Sequence, residues 1–465
     1  MDIFEYNYGM ESKLNTEIIG ELAKKNFFER HKIAEQLKNE KSLVFDKRKV
    51  KTIATYYHSL YNGGIGRVIV LLCQLWTEMG YKVVVFTDDL PRPEEYELPP
   101  NVERVVIPNY INITDKNYVE RALAIHNLIE KYKVDAVVYH AYMADVMLWD
   151  ELVIKASGAA FIAHCHIIFS IQLVDIWPNF KNFIDSYKLS DALVVLSKTD
   201  KCFWDFYNSN VHVTINPFFE NPKKWAVEQK SPENHNILWC GRFATEKNHL
   251  DTVPIMKEVL KEVPDAVLHV LGSGIKKSFE KNLRKEIKHN HLEKNIILEG
   301  FHKDVKPFYQ KAKIYLMTST YEGFCLTLMD AKTAGLPTVM YELPYLTLCE
   351  GERGIIQVPQ KDTNAAAKAI IELLKNEEIY QKYSKDARAH AEELADFDFK
   401  QKWTEIFESL QTEHQNTTSE NEKIMLNALI SFHSEKINLK RFIKSKIPRK
   451  KILKIKSIIA KLRRK

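Results

Sequence analysis

The chain has 465 residues, of which 45% are hydrophobic and 28% are charged. This composition is typical of a folded globular protein, and the length predicts two domains with extensions rather than one core. No apolar run approaches the roughly 18 residues of a membrane span, and the N-terminus lacks the basic-then-apolar pattern of a secretion signal. We therefore expect a cytoplasmic protein.

The net charge of +6 comes from one end of the chain. Residues 436–465 contain 14 Lys or Arg and no acidic residue, so that the rest of the chain carries a net charge of −8. Apolar residues recur there at helical spacing, which predicts either an amphipathic helix on an anionic membrane surface or a solvated basic tail. Phe442 is the only aromatic residue of this tail, so we expect no nucleic-acid binding.

The six cysteines include no Cys-x-x-Cys pair, and most of them lie in apolar stretches. This pattern favours free buried thiols in a reducing compartment and argues against a structural zinc site.

In chain order, residues 1–47 predict a helical extension, and short β-branched runs then alternate with longer amphipathic stretches. The predicted strands of the first unit are residues 52–57, 83–86, 134–139, 159–163 and 192–196. After a polar break the pattern restarts, with predicted strands at residues 237–240, 267–271, 296–298, 314–317 and 338–341. The alternation predicts two α/β units with parallel sheets and a ligand cleft at the carboxyl ends of their strands.

A glycine-rich loop, Tyr61 to Arg67, follows the first predicted strand and precedes an apolar helix. Glycines let backbone approach a ligand closely, and a helix N-terminus attracts anions. Gly63 and Gly64 therefore predict either an anion-binding loop or simply a tight strand-to-helix turn.

Two cations, Arg242 and Lys247, follow the first predicted strand of the second unit. Arginine offers a planar fork to phosphate oxygens and lysine a point charge. Their joint position at the end of a strand favours phosphate binding over two solvated surface residues.

Two carboxylates flank the start of a predicted helix near residue 325. Glu322 lies in the preceding loop and Asp330 lies within the helix, so their spacing suits two points along an extended ligand. The helix N-terminus between them could face a diphosphate. The alternative is that Glu322 caps the helix and Asp330 is a solvated helix residue.

A histidine pair ends a strand of the first unit, where alternation places His164 and His166 on the same side. A dimetal site would need carboxylate or further histidine partners at matching spacing, and no such partner is evident. We therefore predict that one histidine binds a hydroxyl in the cleft, or that both are ordinary core residues.

Together these segments resemble the family-4-type retaining glycosyltransferases of the GT-B fold, over roughly residues 51–412. The resemblance is most specific at residues 322–337, EGFCLTLMDAKTAGLP, which is similar to the family's E-x7-E helix segment. Residues 241–248 (GRFATEKN), 265–274 and 297–319 support it, as does the late segment at 397–410. It implies two facing Rossmann-like domains at residues 48–220 and 221–395, a crossover helix at 396–413 and a tail at 414–465.

The resemblance also implies residue roles. Arg242 and Lys247 would hold the donor diphosphate, Glu322 would contact the transferred sugar, and His166 would be the donor-sugar histidine. Asp330 stands where the family has a second Glu, which usually binds ribose, and is shorter by one methylene. The remaining implied donor contacts are Gly63, Gly64, His164, Gly300, Phe301, Gly323, Phe324 and Cys325.

The implied activity is retaining, metal-independent transfer of a hexose-type sugar, with no cofactor and no bound metal. The donor would be a nucleoside-diphosphate sugar, with UDP as the expected nucleotide, and the acceptor a glycan or a lipid-linked acceptor at the inner face of the cell membrane. Two alternatives are a nucleotide-sugar epimerase on the same fold and a non-catalytic partner that has kept the fold.

Overall fold

The computed structural model describes residues 49–411, except for residues 62, 94, 110–117, 143, 145, 175–179, 219–220, 226–232 and 275–276. The predicted extension at residues 1–47 and the predicted tail at 414–465 lie outside the described residues.

The first sheet has seven strands, all parallel, in the order β3-β2-β1-β4-β5-β6-β7. Alternate residues of β1 and β2 belong to two separate apolar clusters, one on each face of the sheet. The sheet is therefore covered on both faces, as parallel sheets require. Its strands are β1 Thr52–Tyr56, β2 Lys82–Thr87, β3 Glu103–Val106, β4 Ala136–Tyr139, β5 Ala160–His164, β6 Ala192–Val195 and β7 Val211–Val213.

Helices connect the strands of the first sheet and supply the covering layers. They are α1 Gly64–Glu78, α2 Tyr118–Tyr132, α3 Met147–Ala156, α4 Phe169–Val174, α5 Phe180–Leu189 and α6 Lys198–Trp204. The start of α1 agrees with the glycine-rich loop, because Gly63 is the N-cap residue and the helix begins at Gly64.

The second sheet has six parallel strands in the order β10-β9-β8-β11-β12-β13, again with an apolar cluster on each face. Its strands are β8 Asn236–Cys240, β9 Val267–Leu271, β10 Ile296–Gly300, β11 Ile314–Met317, β12 Thr338–Tyr341 and β13 Ile355–Val358. Its helices are α7 Thr252–Glu262, α8 Lys277–His289, α9 Lys306–Lys311, α10 Leu326–Thr333, α11 Thr363–Lys375 and α12 Glu377–Leu394.

The last described helix, α13 Phe399–Ser409, returns to the first unit. Its Trp403 packs edge-on against Trp76 of α1, with ring centroids 4.8 Å apart, and both indoles are buried. Ser409 Oγ contacts Asn210 and His212 at the far edge of the first sheet. The chain thus passes from the first unit to the second and back.

The ten predicted strands all occur, with ends that differ by at most two residues. The sequence analysis missed β3, β7 and β13, which lie at sheet edges and have only three or four residues each. Among the described residues, no helix combines the length and apolar character needed to cross a bilayer.

Candidate active site

The predicted anion-binding residues lie at the carboxyl end of β8. The Lys247 ammonium lies 2.5 Å from the Glu322 Oε1 atom, and both side chains are mostly buried. Burial lowers the pKa of Lys247, but the Glu322 carboxylate and the neighbouring groups Cys325 and Glu246 together outweigh this effect and leave the pKa raised. Lys247 is therefore a charged group near neutral pH, and it lies beyond the carboxyl end of β8.

Arg242 lies in the same loop but is far more open. Its side chain is 59% exposed and contacts Glu246 across 3.1 Å. An exposed pair of this kind holds the guanidinium weakly, because each partner also interacts with water. Arg242 can therefore turn toward a ligand at little cost.

The loop before α10 is held by its backbone. The Tyr345 hydroxyl accepts a hydrogen bond from the Glu322 N–H at 2.9 Å and lies 3.0 Å from the Glu322 carbonyl oxygen, to which it donates. Cys325 is the N-cap residue, with φ of +67°, and its side chain does not cap the helix. Glu322 is therefore not a capping acid, and the first turn of α10 keeps backbone N–H groups that an anion can use.

Gly323 lies against the first unit. A Cβ atom built at this position would be 2.0 Å from the backbone oxygen of His166. Only glycine allows this approach, which brings Glu322 of the second unit beside His166 of the first. Gly64 lies near the same junction, since a Cβ there would meet Leu326 at 3.6 Å.

Asp330 of α10 forms an ion pair across the junction. Arg67 of α1 donates two hydrogen bonds to its two carboxylate oxygens, at 2.7 and 2.9 Å. Both side chains are about one-tenth exposed, so the alternative of a solvated helix residue is wrong. The sequence analysis gave Arg67 no role, although it ends the glycine-rich loop.

The histidines at the end of β5 have a third partner. His140 follows β4, and its Nδ1 atom lies 2.8 Å from His166 Nε2, while His164 is almost fully buried beside both. The expectation that the pair lacks a further histidine was wrong. The neighbouring strand could have indicated it, because parallel strands end at one edge.

The remaining predicted donor contacts divide into two groups. Phe324 and Cys325 are buried, and burial raises the pKa of the Cys325 thiol to about 12. Gly300 ends β10 with φ of +78°, and the following Phe301 is half exposed. Gly300 and Phe301 thus lie at the carboxyl end of β10, the edge strand that is separated from β8 by β9.

Two Rossmann-like units, each a parallel sheet covered by helices on both faces, define the GT-B class of α/β proteins. In this chain a buried ion pair lies at their junction. The sequence model of the Glycosyltransferase Family 4 matches residues 62–213, and that of the Glycosyl transferases group 1 matches residues 221–390. The chain belongs to the family-4 type of GT-B glycosyltransferases.

Curated relatives match over part of the chain. The poly(glycerol-phosphate) alpha-glucosyltransferase of Bacillus subtilis is 32% identical over 187 residues, which is 40% of this chain and 27% of that protein. The amylovoran biosynthesis glycosyltransferase AmsD of Erwinia amylovora is 30% identical over 161 residues, covering 34% of this chain and 44% of AmsD. The chain thus spans less than half of the length of these two relatives.

Solved structures share the fold over most of the chain. TarM of S. aureus, in a complex that includes UDP, has a TM-score of 0.62 at 13% identity, covering 77% of this chain and 99% of TarM. HepE of Anabaena, in complex with UDP-glucose, has a TM-score of 0.64 at 13% identity, covering 77% of this chain and 99% of HepE. At such identities the likeness supports the fold.

Proposed function

We propose that this chain is a retaining hexosyltransferase that moves a sugar from a UDP-linked donor to a glycan or a lipid-linked acceptor. The observation that carries the proposal is the buried Lys247–Glu322 pair, which the close approach of Gly323 brings against His166. HepE, solved with UDP-glucose, supports a UDP-linked donor, and the alpha-glucosyltransferase of B. subtilis supports the transfer of a hexose.

In this proposal the donor diphosphate binds beside Lys247 and Arg242, at the first turn of α10. Lysine has three N–H donors, so Lys247 can keep its contact with Glu322 and still bind a phosphate oxygen. Negative charge grows on the diphosphate as the bond to the sugar breaks, and fixed cations and backbone N–H groups stabilise it. Glu322 and His166 then lie beside the sugar.

The proposed transfer retains the anomeric configuration. The acceptor oxygen attacks from the face that the diphosphate leaves, and the departing phosphate oxygen takes the acceptor proton. The new glycosidic bond forms as the bond to the diphosphate breaks, so that the products are the glycoside and the free UDP. The two units contribute by orienting donor and acceptor in one cleft.

The donor assignment is tested by alanine variants of the two cations. Lys247→Ala and Arg242→Ala should each weaken transfer by about 1.5–3 kcal/mol, or roughly 10- to 150-fold, the range for hydrogen bonds to charged groups. Lys261→Ala is the matched control, because Lys261 forms an exposed ion pair on α7. Products from a panel of nucleotide sugars, with and without acceptor, would be analysed by mass spectrometry.

The alternatives predict different products. Conversion of the donor to an epimeric sugar without an acceptor would indicate an epimerase. No conversion of any donor would indicate a non-catalytic protein. Wild-type efficiency in both cation variants would contradict the donor site.

Transfer should also survive EDTA, because the proposed mechanism uses no metal ion. A loss of activity that Mg²⁺ or Mn²⁺ restores would contradict metal independence.

We further propose that residues 436–465 attach the chain to an anionic membrane, near a lipid-linked acceptor. Each basic residue near such a surface contributes about 1 kcal/mol. The full chain should sediment with anionic vesicles and be released by high salt, whereas a chain that ends near residue 415 should remain in the supernatant. Equal sedimentation of both forms would contradict this role.

A further inference from the structure

Three imidazoles meet at the carboxyl ends of two neighbouring strands of the first sheet. His140 follows β4, His164 ends β5, and His166 lies two residues further on. One nitrogen from each ring lies within 4.8 Å of the others. Within the described ranges, this is the only group of three potential metal ligands that come so close.

The ring nitrogens of this cluster lack enough hydrogen-bond partners. Both nitrogens of His164 and the Nε2 atom of His140 are buried without a hydrogen-bond partner. The two residues are no more than 1% exposed, so bulk water does not reach these atoms. Buried polar groups in proteins are nearly always satisfied, and an exception indicates an ion or a water molecule. An isolated core histidine would not explain three such atoms in one place.

The surroundings favour the neutral form of each ring. Burial lowers the pKa of His166 to about 3, and it also lowers the pKa values of His140 and His164. A neutral imidazole keeps a lone pair on one nitrogen, which is the form that binds metal ions.

We propose that His140, His164 and His166 together bind one divalent transition metal ion of the zinc type. Three histidines with one open position are an established ligand set for Zn²⁺. His140 and His164 are buried whereas His166 is partly exposed, so the open position lies on the side of His166. The set contains no carboxylate, so it discriminates against Mg²⁺ and Ca²⁺.

The geometry requires small ring movements. Tetrahedral Zn–N bonds of 2.0–2.1 Å place ligand nitrogens about 3.3 Å apart. The nitrogens of His140 and His166 are 2.8 Å apart and must separate by about half an ångström. The nitrogens separated by up to 4.8 Å must approach one another by up to about 1.5 Å, which rotation about the side-chain bonds can supply.

A metal ion at this position should inhibit sugar transfer, a consequence that rests on the proposed function. Metal coordination would remove His166 from any contact with the donor sugar, beside the loop that carries Gly323. Zn²⁺ should therefore compete with the donor. The binding of the metal itself does not depend on which reaction the chain performs.

Cobalt titration of the full, tag-free chain after EDTA treatment and dialysis tests the site. Co²⁺ should bind in one equivalent with the intense visible absorption of a tetrahedral complex, and Zn²⁺ should displace it. His164→Phe and His140→Gln should each weaken Co²⁺ binding at least tenfold. His126→Gln is the control, because His126 is also buried in the same unit but contacts Ser157.

Absence of the absorption in the wild-type chain would overturn the proposal and indicate that water satisfies the rings. Unchanged affinity in a folded His164→Phe or His140→Gln chain would overturn it as well. X-ray absorption at the zinc edge of the wild-type chain needs no variant, and it should count three imidazole ligands. Fewer than three would refute the site. If Co²⁺ binds but no nucleotide sugar is converted, the metal site stands and the proposed function fails.

Discussion

Lys332 of α10 carries a prediction about the pH dependence of stability. Its side chain is fully buried, and its ammonium nitrogen donates to the Arg353 carbonyl and lies 3.1 Å from His390 Nδ1. Burial lowers the pKa of Lys332 from 10.5 to about 7. Between these pH values the unfolded chain holds a proton that the folded chain has released.

Stability should therefore rise with pH in this window, because the unfolded state binds more protons. With these two pKa values, the contribution of Lys332 to the free energy of unfolding increases by about 2 kcal/mol between pH 7.5 and 9. Lys332→Met keeps an unbranched side chain but cannot titrate. The difference in stability between wild type and variant should shift by that amount in favour of the wild type as the pH rises.

Urea denaturation at both pH values, followed by circular dichroism, measures this difference. The lost hydrogen bond to Arg353 affects both pH values alike and cancels in the comparison. Lys261→Met is the matched control, since Lys261 is exposed, and its difference from the wild type should not change with pH. A pH-independent difference for Lys332→Met would refute the assignment of a depressed pKa.

Three further predictions concern the junction between the units. Gly323→Ala should lower the transfer rate about 100-fold or more. The new Cβ would push the loop away from His166, and a displacement of about 1 Å in an active site has an effect of that size. A wild-type rate would contradict this. Arg67→Ala or Asp330→Ala should each destabilise the fold by about 3–5 kcal/mol by leaving a buried charge unpaired, whereas Arg67→Met with Asp330→Leu should cost much less in urea denaturation. Equal losses in single and double variants would exclude the pairing. Cys325→Gly should change stability by no more than about 1 kcal/mol, and Cys325→Val should lower the melting temperature clearly, because a β-branched residue is strained at φ of +67°.

The sequence predicted the interior of each sheet well. Strands such as β4 and β11 are fully buried and consist of apolar, mostly β-branched or aromatic residues, which gives a strong local pattern. The edge strand β3, Glu-Arg-Val-Val, has none of its residues fully buried. Its conformation depends on pairing with β2, which is a tertiary interaction that local sequence does not encode.

The site was predictable where its residues follow the carboxyl ends of predicted strands. Lys247 and Glu322 lie close together as the strand order implies, since β8 and β11 are neighbours. Two partners were not predicted. His140 follows the strand next to β5, so the positions of the strand ends could have indicated it. Arg67 instead lies on a helix of the first unit, whereas its partner Asp330 belongs to the second. The Arg67–Asp330 contact joins residues 263 positions apart, and only the assembled fold brings them together.

The return of α13 to the first unit constrains how the cleft can open. The chain crosses between the units twice, once between β7 and β8 and once just before α13, whose Trp403 is buried against Trp76. We expect these two crossings to restrict the relative movement of the units mainly to rotation about the line that joins them. A donor that contacts both units would then be admitted and enclosed by that rotation.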